Sequence, residues 1–150
     1  MTFTPRSLTA AAAAFIAALV LCVPSPAARA QGAPTASAPV TDSPQYKRGR
    51  LLYIQCRACH ELKAGQPNKV GPNLHGVLGG KAAQVAGFSY SPALRAANLT
   101  WDAATLDKWL ERPSALVPGN AMAFAGVASP ADRAALALYL QVEAAAGAKP

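Results

Sequence analysis

Apolar and polar positions change character along the chain. From Leu8 to Val23 the residues form an apolar run, and from Gln31 to Ser43 large apolar side chains nearly vanish in favour of Ala, Pro, Ser and Thr. Beyond Pro44 the apolar residues recur at helical spacing: Gly49, Leu52 and Tyr53 at i, i+3 and i+4, and Leu136, Tyr139 and Leu140 likewise. Ser43-Pro44, Ser91-Pro92 and Ser129-Pro130 each place a hydroxyl N-cap before a proline at the first helical position, so a helix is predicted to start at each. The first is predicted to run from Pro44 to about Ala58 and the last from Pro130 to about Glu143, with their apolar faces packed together. A further helix is predicted to open at Thr100, turn Leu106, Trp109 and Leu110 inward, and stop at Arg112, because Pro113 disfavours helix in the residue before it. The connections are rich in Gly and Pro, as in Gly71-Pro72, Gly79-Gly80 and Pro118-Gly119, and Pro113 to Asn120 is expected to be a loop. No alternating strand pattern and no internal repeat stand out, so the predicted class is all-α.

The N-terminal run carries Arg6 before it and a small-x-small triplet, Ala28-Arg29-Ala30, after it. That is the pattern of a secretory signal over residues 1–30, removed on export to the periplasm. The alternative is an uncleaved anchor facing the periplasm, but the run falls short of the roughly 20 apolar residues that a spanning helix needs. Residues 31–43 are too poor in apolar surface to offset the entropy of ordering and are expected to be a flexible linker. Residues 44–150 remain as one small domain, which gains much by wrapping a large apolar cofactor. Loss of Arg6 and Arg29 lowers the formal net charge from +7 to +5. The basic residues are scattered apart from Lys47-Arg48 and Arg50, without aromatic interleaving or a basic stripe, so no nucleic-acid partner is expected.

Cys56-Arg57-Ala58-Cys59-His60 brings in the chemistry. Two thiols three positions apart, with a histidine directly after the second, form the c-type haem attachment pentapeptide. The sulfurs sit about one helical turn apart, so both can form thioethers to one porphyrin edge while His60 turns inward to the iron. A thioredoxin-like pair would want a βαβ context, and half of a zinc site would want a further ligand pair. The sequence has neither. Cys22 lies in the N-terminal run and leaves with it, so the mature chain keeps two cysteines, both committed to haem, and no intrachain disulfide is expected.

Iron held by His60 needs a sixth ligand or an open face, and that choice separates an electron carrier from an enzyme. His75 and Met122 are the options in the mature chain. The prolines and the Pro-Gly pair between Pro113 and Asn120 suit a loop that brings the Met122 thioether to the opposite haem face. His75 also reads as a surface or hydrogen-bonding histidine, and a lone methionine as a core filler. The residues by themselves favour Met122 and leave both open.

Gly71-Pro72-Asn73-Leu74-His75-Gly76, Gly87-Phe88-Ser89-Tyr90, Leu99-Thr100-Trp101 and Pro118-Gly119-Asn120-Ala121-Met122-Ala123-Phe124-Ala125-Gly126 resemble, in order and spacing, the class I cytochromes c of the mitochondrial and bacterial c2 type. The resemblance spans nearly the whole domain. It implies the class I cytochrome c fold, helices wrapped around one haem c bound through Cys56 and Cys59, with His60 and Met122 as axial ligands and His75 as a non-ligand. It also implies that Pro72 offers its carbonyl to the other ring nitrogen of His60. By the same resemblance Tyr90 and Trp101 donate hydrogen bonds to a buried haem propionate, and Phe124 lies against the haem near its exposed edge.

Departures from the family pattern sharpen the expectation. Gln55, Ser114, Ala121, Ala128 and Ser129 stand where mitochondrial relatives carry lysines around the exposed haem edge, so the docking face is nearly neutral. Trp109 replaces a usual tyrosine, Leu94 a usual asparagine, and Gly80 an arginine that often supports a propionate, which lowers the polarity around the iron. The expected function is that of an exported monohaem cytochrome passing single electrons between redox proteins, not an enzyme, with no stable membrane insertion after signal cleavage. The rival is a dedicated electron-accepting subunit of a periplasmic oxidoreductase. A haem peroxidase or gas sensor would need an open iron site.

Overall fold

Each Ser-Pro pair opens a helix. In the computed structural model, which describes residues 38–145, the Ser43 hydroxyl accepts from the Tyr46 N–H at 3.1 Å, that of Ser91 from Leu94 at 3.2 Å, and that of Ser129 from Asp132 at 3.3 Å. These caps start α1 (Pro44–Leu52), α2 (Pro92–Ala96) and α5 (Pro130–Ala145); α3 (Ala103–Glu111) and α4 (Pro113–Leu116) lie between the last two. The expected signal segment 1–30, residues 31–37 of the expected linker and the last five residues lie outside the described residues. The described end of the linker contains a 3-10 turn, Val40–Asp42, directly before α1.

Three predicted boundaries move. α1 ends at Leu52 rather than near Ala58, because the chain tightens into a 3-10 turn over Tyr53–Gln55. The attachment pentapeptide then continues as separate turns, with Cys56 N–H bonded to the Tyr53 carbonyl at 2.8 Å and Cys59 N–H to the Cys56 carbonyl at 3.0 Å. α3 starts after Asp102, not at Thr100: the Asp102 carboxylate accepts from Thr105 N–H at 2.7 Å, while Thr100 forms an isolated antiparallel bridge with Lys81. Pro113 to Asn120 is not all loop, since Pro113 sits at the first position of the one-turn α4. The predicted stop of α3 holds, with Arg112 extended before Pro113. No strand occurs among the described residues, and the fold is all-α.

α1 crosses α5, and α5 packs in turn on α3. The buried core is Tyr53, Leu62, Leu106, Leu110, Val127, Leu136, Leu140 and Ala144, so both predicted apolar faces contribute to it. Tyr139 packs against Tyr46 and Tyr53, with ring centroids 5.2 and 5.3 Å apart, and the Tyr46 hydroxyl donates to the Glu143 carboxylate. Arg48 on α1 makes a two-bond ion pair with Asp132 on α5, 2.8 Å in each arm. That pair is exposed and screened by solvent, so the helix crossing rests on the buried side chains.

Candidate functional site

The turn that follows α1 sets the geometry of the site. Tyr53 is anchored in the core and its hydroxyl donates to the His60 carbonyl at 2.9 Å, while His60 N–H bonds the Cys56 carbonyl at 2.9 Å. Both bonds close on His60, and Cys56 and Cys59 stand as free, half-buried thiols on the turn. Burial, with Cys59 beside it, pushes the Cys56 thiol up to about 11, the opposite of the activated thiolate that a thioredoxin-like pair needs at its first cysteine. Among the described residues no three His, Cys, Asp or Glu side chains gather in a way that could hold a metal ion, which a zinc site would require.

The His60 ring is oriented by a backbone carbonyl. Its Nδ1 lies 2.8 Å from the Pro72 carbonyl oxygen, and burial holds its pKa below the usual histidine value against the opposing pull of that carbonyl. A neutral ring facing an acceptor must carry its proton on Nδ1, so the Nε2 lone pair is free to bind iron. Gly71 lies flat against the ring: a Cβ there would stand 2.7 Å from Nδ1 and 2.8 Å from Nε2. Any side chain at 71 would displace the imidazole. The loop bearing Gly71 and Pro72 is organised by two asparagines that sequence reasoning passed over. Asn73 donates to the carbonyls of Lys63 and Gln66 at 2.8 and 2.9 Å, and Asn68 accepts from Asn73 N–H at 2.9 Å. The Pro-Asn pair carried a turn signal, but the carbonyls that it satisfies could not be read from it.

Met122 sits half-buried on the loop between α4 and α5. Asn120 sets its backbone: the amide side chain donates to the Val117 carbonyl at 2.8 Å and accepts from Met122 N–H at 2.9 Å. Phe124 is half-buried against the core with Leu74, Leu78 and Cys56, which leaves apolar side chains around the attachment turn for a flat group to cover. Free paired thiols, a neutral imidazole oriented by a carbonyl and this half-covered apolar rim fit a covalently attached haem.

Tyr90, Leu94 and Trp101 fall on the loop closed by segments 79–82 and 99–101, whose backbones bond at Ala82 N–H to Leu99 O and Trp101 N–H to Gly80 O, both 2.8 Å. Tyr90 stands edge-on to Phe88 and its hydroxyl oxygen accepts from Val85 N–H at 3.3 Å, so its own hydrogen is free to donate elsewhere. Trp101 packs edge-on against the buried Trp109 at 5.2 Å. Leu94 is half-buried on α2, whose Ala93 lies against the Pro118-Gly119 turn that leads to Met122. His75 is partly buried with its Nδ1 shielded and without a hydrogen-bond partner. Gln55, Ser114, Ala121, Ala128 and Ser129 are all exposed.

No family model matches the chain. Individual proteins do. A cytochrome c of Cochliobolus lunatus is 43% identical over 97 residues, 65% of this chain and 90% of that protein. A cytochrome c2 iso-2 of Magnetospirillum fulvum is 50% identical over 86 residues, 57% of this chain and 88% of that one. Among solved structures, cytochrome cH from Methylobacterium extorquens superposes with a TM-score of 0.61 at 38% identity, over 65% of this chain and 97% of its own. With the attachment turn, the fold and these relatives in agreement, the chain belongs to the class I cytochrome c family and is a monohaem electron carrier rather than an enzyme, its haem c bound covalently through Cys56 and Cys59.

Proposed function

We propose that this cytochrome is an exported, soluble carrier that shuttles single electrons between redox proteins in the periplasm, with His60 and Met122 as the axial pair. The observation that carries the ligand reading is the 2.8 Å contact between His60 Nδ1 and the Pro72 carbonyl, which orients the imidazole and raises its basicity toward iron. The haem, once attached, supplies a one-electron ferrous/ferric couple. The chain's own part is to fill both axial positions, which leaves no site for substrate at the iron. Tyr90 donates its free hydroxyl hydrogen to a propionate, Trp101 donates through its indole N–H, and Phe124 covers the haem near the exposed edge.

Export rests on the pattern of residues 1–30, and among the described residues no helix is long and apolar enough to cross a membrane. Cleavage at or near Gln31 leaves residues 31–43 as a linker ahead of a domain from Pro44 to Pro150. Intact-mass measurement of the periplasmic protein is expected to give a species starting there and carrying one haem. A species that retains the apolar run and sediments with membranes would show an anchor instead.

The neutral rim also favours a second reading, a dedicated electron-accepting subunit of one periplasmic oxidoreductase, since Gln55, Ser114, Ala121, Ala128 and Ser129 offer no cationic steering to a range of partners. In either case association is expected to depend weakly on salt. Charge-steered encounters slow by roughly 10-fold to 1,000-fold as screening rises, whereas an uncharged patch is nearly indifferent. On α1, Arg48 is already paired with Asp132, and Lys47 and Arg50 remain there as a modest long-range contribution. The second-order rate of electron transfer with the physiological donor is therefore expected to change by only about threefold between low and high ionic strength. A fall of several tens of fold would mean a charged docking face. Stoichiometric co-purification with one oxidoreductase would favour the subunit over the shuttle.

A further inference from the structure

Arg133, in the first turns of α5, is buried, with 7% of its surface exposed, although it belongs to a residue type that seldom leaves water. Its guanidinium reaches two elements besides its own. Nε donates to Asp107 Oδ1 at 2.7 Å and Nη2 to Oδ2 at 3.4 Å, while Nη1 stands 3.8 Å from Glu111 Oε1, both acids being on α3. Nη1 also donates to the backbone carbonyls of Val127 at 3.1 Å and Ala128 at 2.9 Å.

The two carbonyls account for the burial better than the acids do. Asp107 and Glu111 have half-exposed side chains, and an arginine needing only them could pair with them at the surface without losing its own hydration. Val127 and Ala128 end the loop that begins after α4 and carries Met122. Their stretch is fastened otherwise by the bond from Val127 N–H to the Leu110 carbonyl at 2.8 Å and by the close passage of Gly126 over the Glu111 carbonyl, where a Cβ would stand 2.7 Å from the carbonyl carbon. Asn120 secures the approach to Met122, and Arg133 secures the return. A planar fork with several donors serves a carboxylate and two carbonyls at once, which a single ammonium does not.

We propose that Arg133 is a positioning residue for the sixth ligand: by tying the Val127 and Ala128 carbonyls to α3 and α5 it keeps the Met122 loop closed and the thioether against the iron. The inference rests on the reading of Met122 as that ligand. A neutral thioether holds ferric iron weakly, so the lifetime of the bond is set by how often the loop opens. Each bond from the charged guanidinium to a backbone carbonyl of that stretch opposes its opening.

The test uses ferric holoprotein and imidazole as the probe, following loss of the thioether-to-iron charge-transfer absorption by stopped flow, with the denaturation midpoint of each variant measured alongside. Arg133→Ala is expected to raise the rate of imidazole capture by roughly tenfold or more. Arg133→Lys keeps the charge but not the fork and is expected to fall between that variant and the parent. Arg48→Ala removes the exposed α1 to α5 ion pair, which does not touch the loop, and is expected to leave capture within about twofold of the parent. Capture rates within about twofold in both Arg133 variants would overturn the proposal, as would an equal acceleration in Arg48→Ala, which would tie capture to general loosening. Should Arg133→Ala fail to fold, Arg133→Lys decides by the same criterion. Absence of the charge-transfer band from the parent would overturn the ligand reading itself, and the Arg133 proposal with it, whereas a band that is present with unmoved capture rates overturns the Arg133 proposal alone.

Discussion

Met122→Ala is expected to retain haem through Cys56 and Cys59 while lowering the reduction potential steeply and opening the iron to small ligands. Attachment depends on the turn between Tyr53 and His60, which is clamped by backbone bonds and by the Tyr53 hydroxyl, and none of these contacts involves the Met122 loop. On the proposed ligation the sixth position depends on the Met122 thioether, a neutral ligand that favours the ferrous state over the ferric. If removing it weakens that preference a hundredfold, the one-electron potential falls by about 120 mV. Cyclic voltammetry reads the fall directly, and ferric spectra with and without added imidazole report the vacated position. Unchanged potential and spectrum would return the sixth ligand to the other histidine. His75 is a poor substitute on structural grounds, since its backbone N–H is held by the Asn73 side chain at 2.8 Å and its Nδ1 is buried beside α5, where Gly76 N–H meets the Ala144 carbonyl.

What the sequence made legible was local. A serine hydroxyl before a proline carries its own cap acceptor, so the starts of α1, α2 and α5 follow from two adjacent residues and need no tertiary partner. The apolar faces of α1 and α5 were legible for the same reason, because periodicity lies within each segment. The start of α3 was not, since Thr100 is drawn into a bridge with Lys81, nineteen positions away in the chain, and Asp102 takes over the cap. The end of α1 was misplaced because the attachment turn answers to Tyr53, whose hydroxyl binds the His60 carbonyl, and that contact has no periodic signature. The attachment pentapeptide was plain, while the groups that orient it came from loops. Gly71 and Asn73 act through the His60 ring and through carbonyls of a segment without regular structure. Arg133 was invisible for a related reason: its partners come from α3 and from the end of the Met122 loop, and no spacing rule joins positions 107, 127, 128 and 133.

Gly49→Ala is expected to destabilise the holoprotein by about 1–3 kcal/mol, the range of an overpacked core, and larger residues at 49 are expected to prevent folding around the haem. Intrinsic propensity argues the other way. Glycine inside a helix costs about 0.5–1 kcal/mol relative to alanine, so on α1 alone the substitution would be a gain. The crossing of α1 and α5 decides the sign. A Cβ at Gly49 would overlap the Ala135 carbonyl and stand 2.7 Å from Tyr139 Cβ, and a backbone carbonyl within a helix has no rotamer by which to move aside. Relief requires the helices to part, which pulls Tyr139 from Tyr46 and Tyr53 and loosens the residue that anchors the attachment turn. Against a typical total stability of about 5–15 kcal/mol, that loss is large. A chemical denaturation midpoint below that of the parent, with little change in slope, is the expected reading. A midpoint at or above the parent would show that α1 and α5 separate at little cost and that helix propensity, not the crossing, governs position 49.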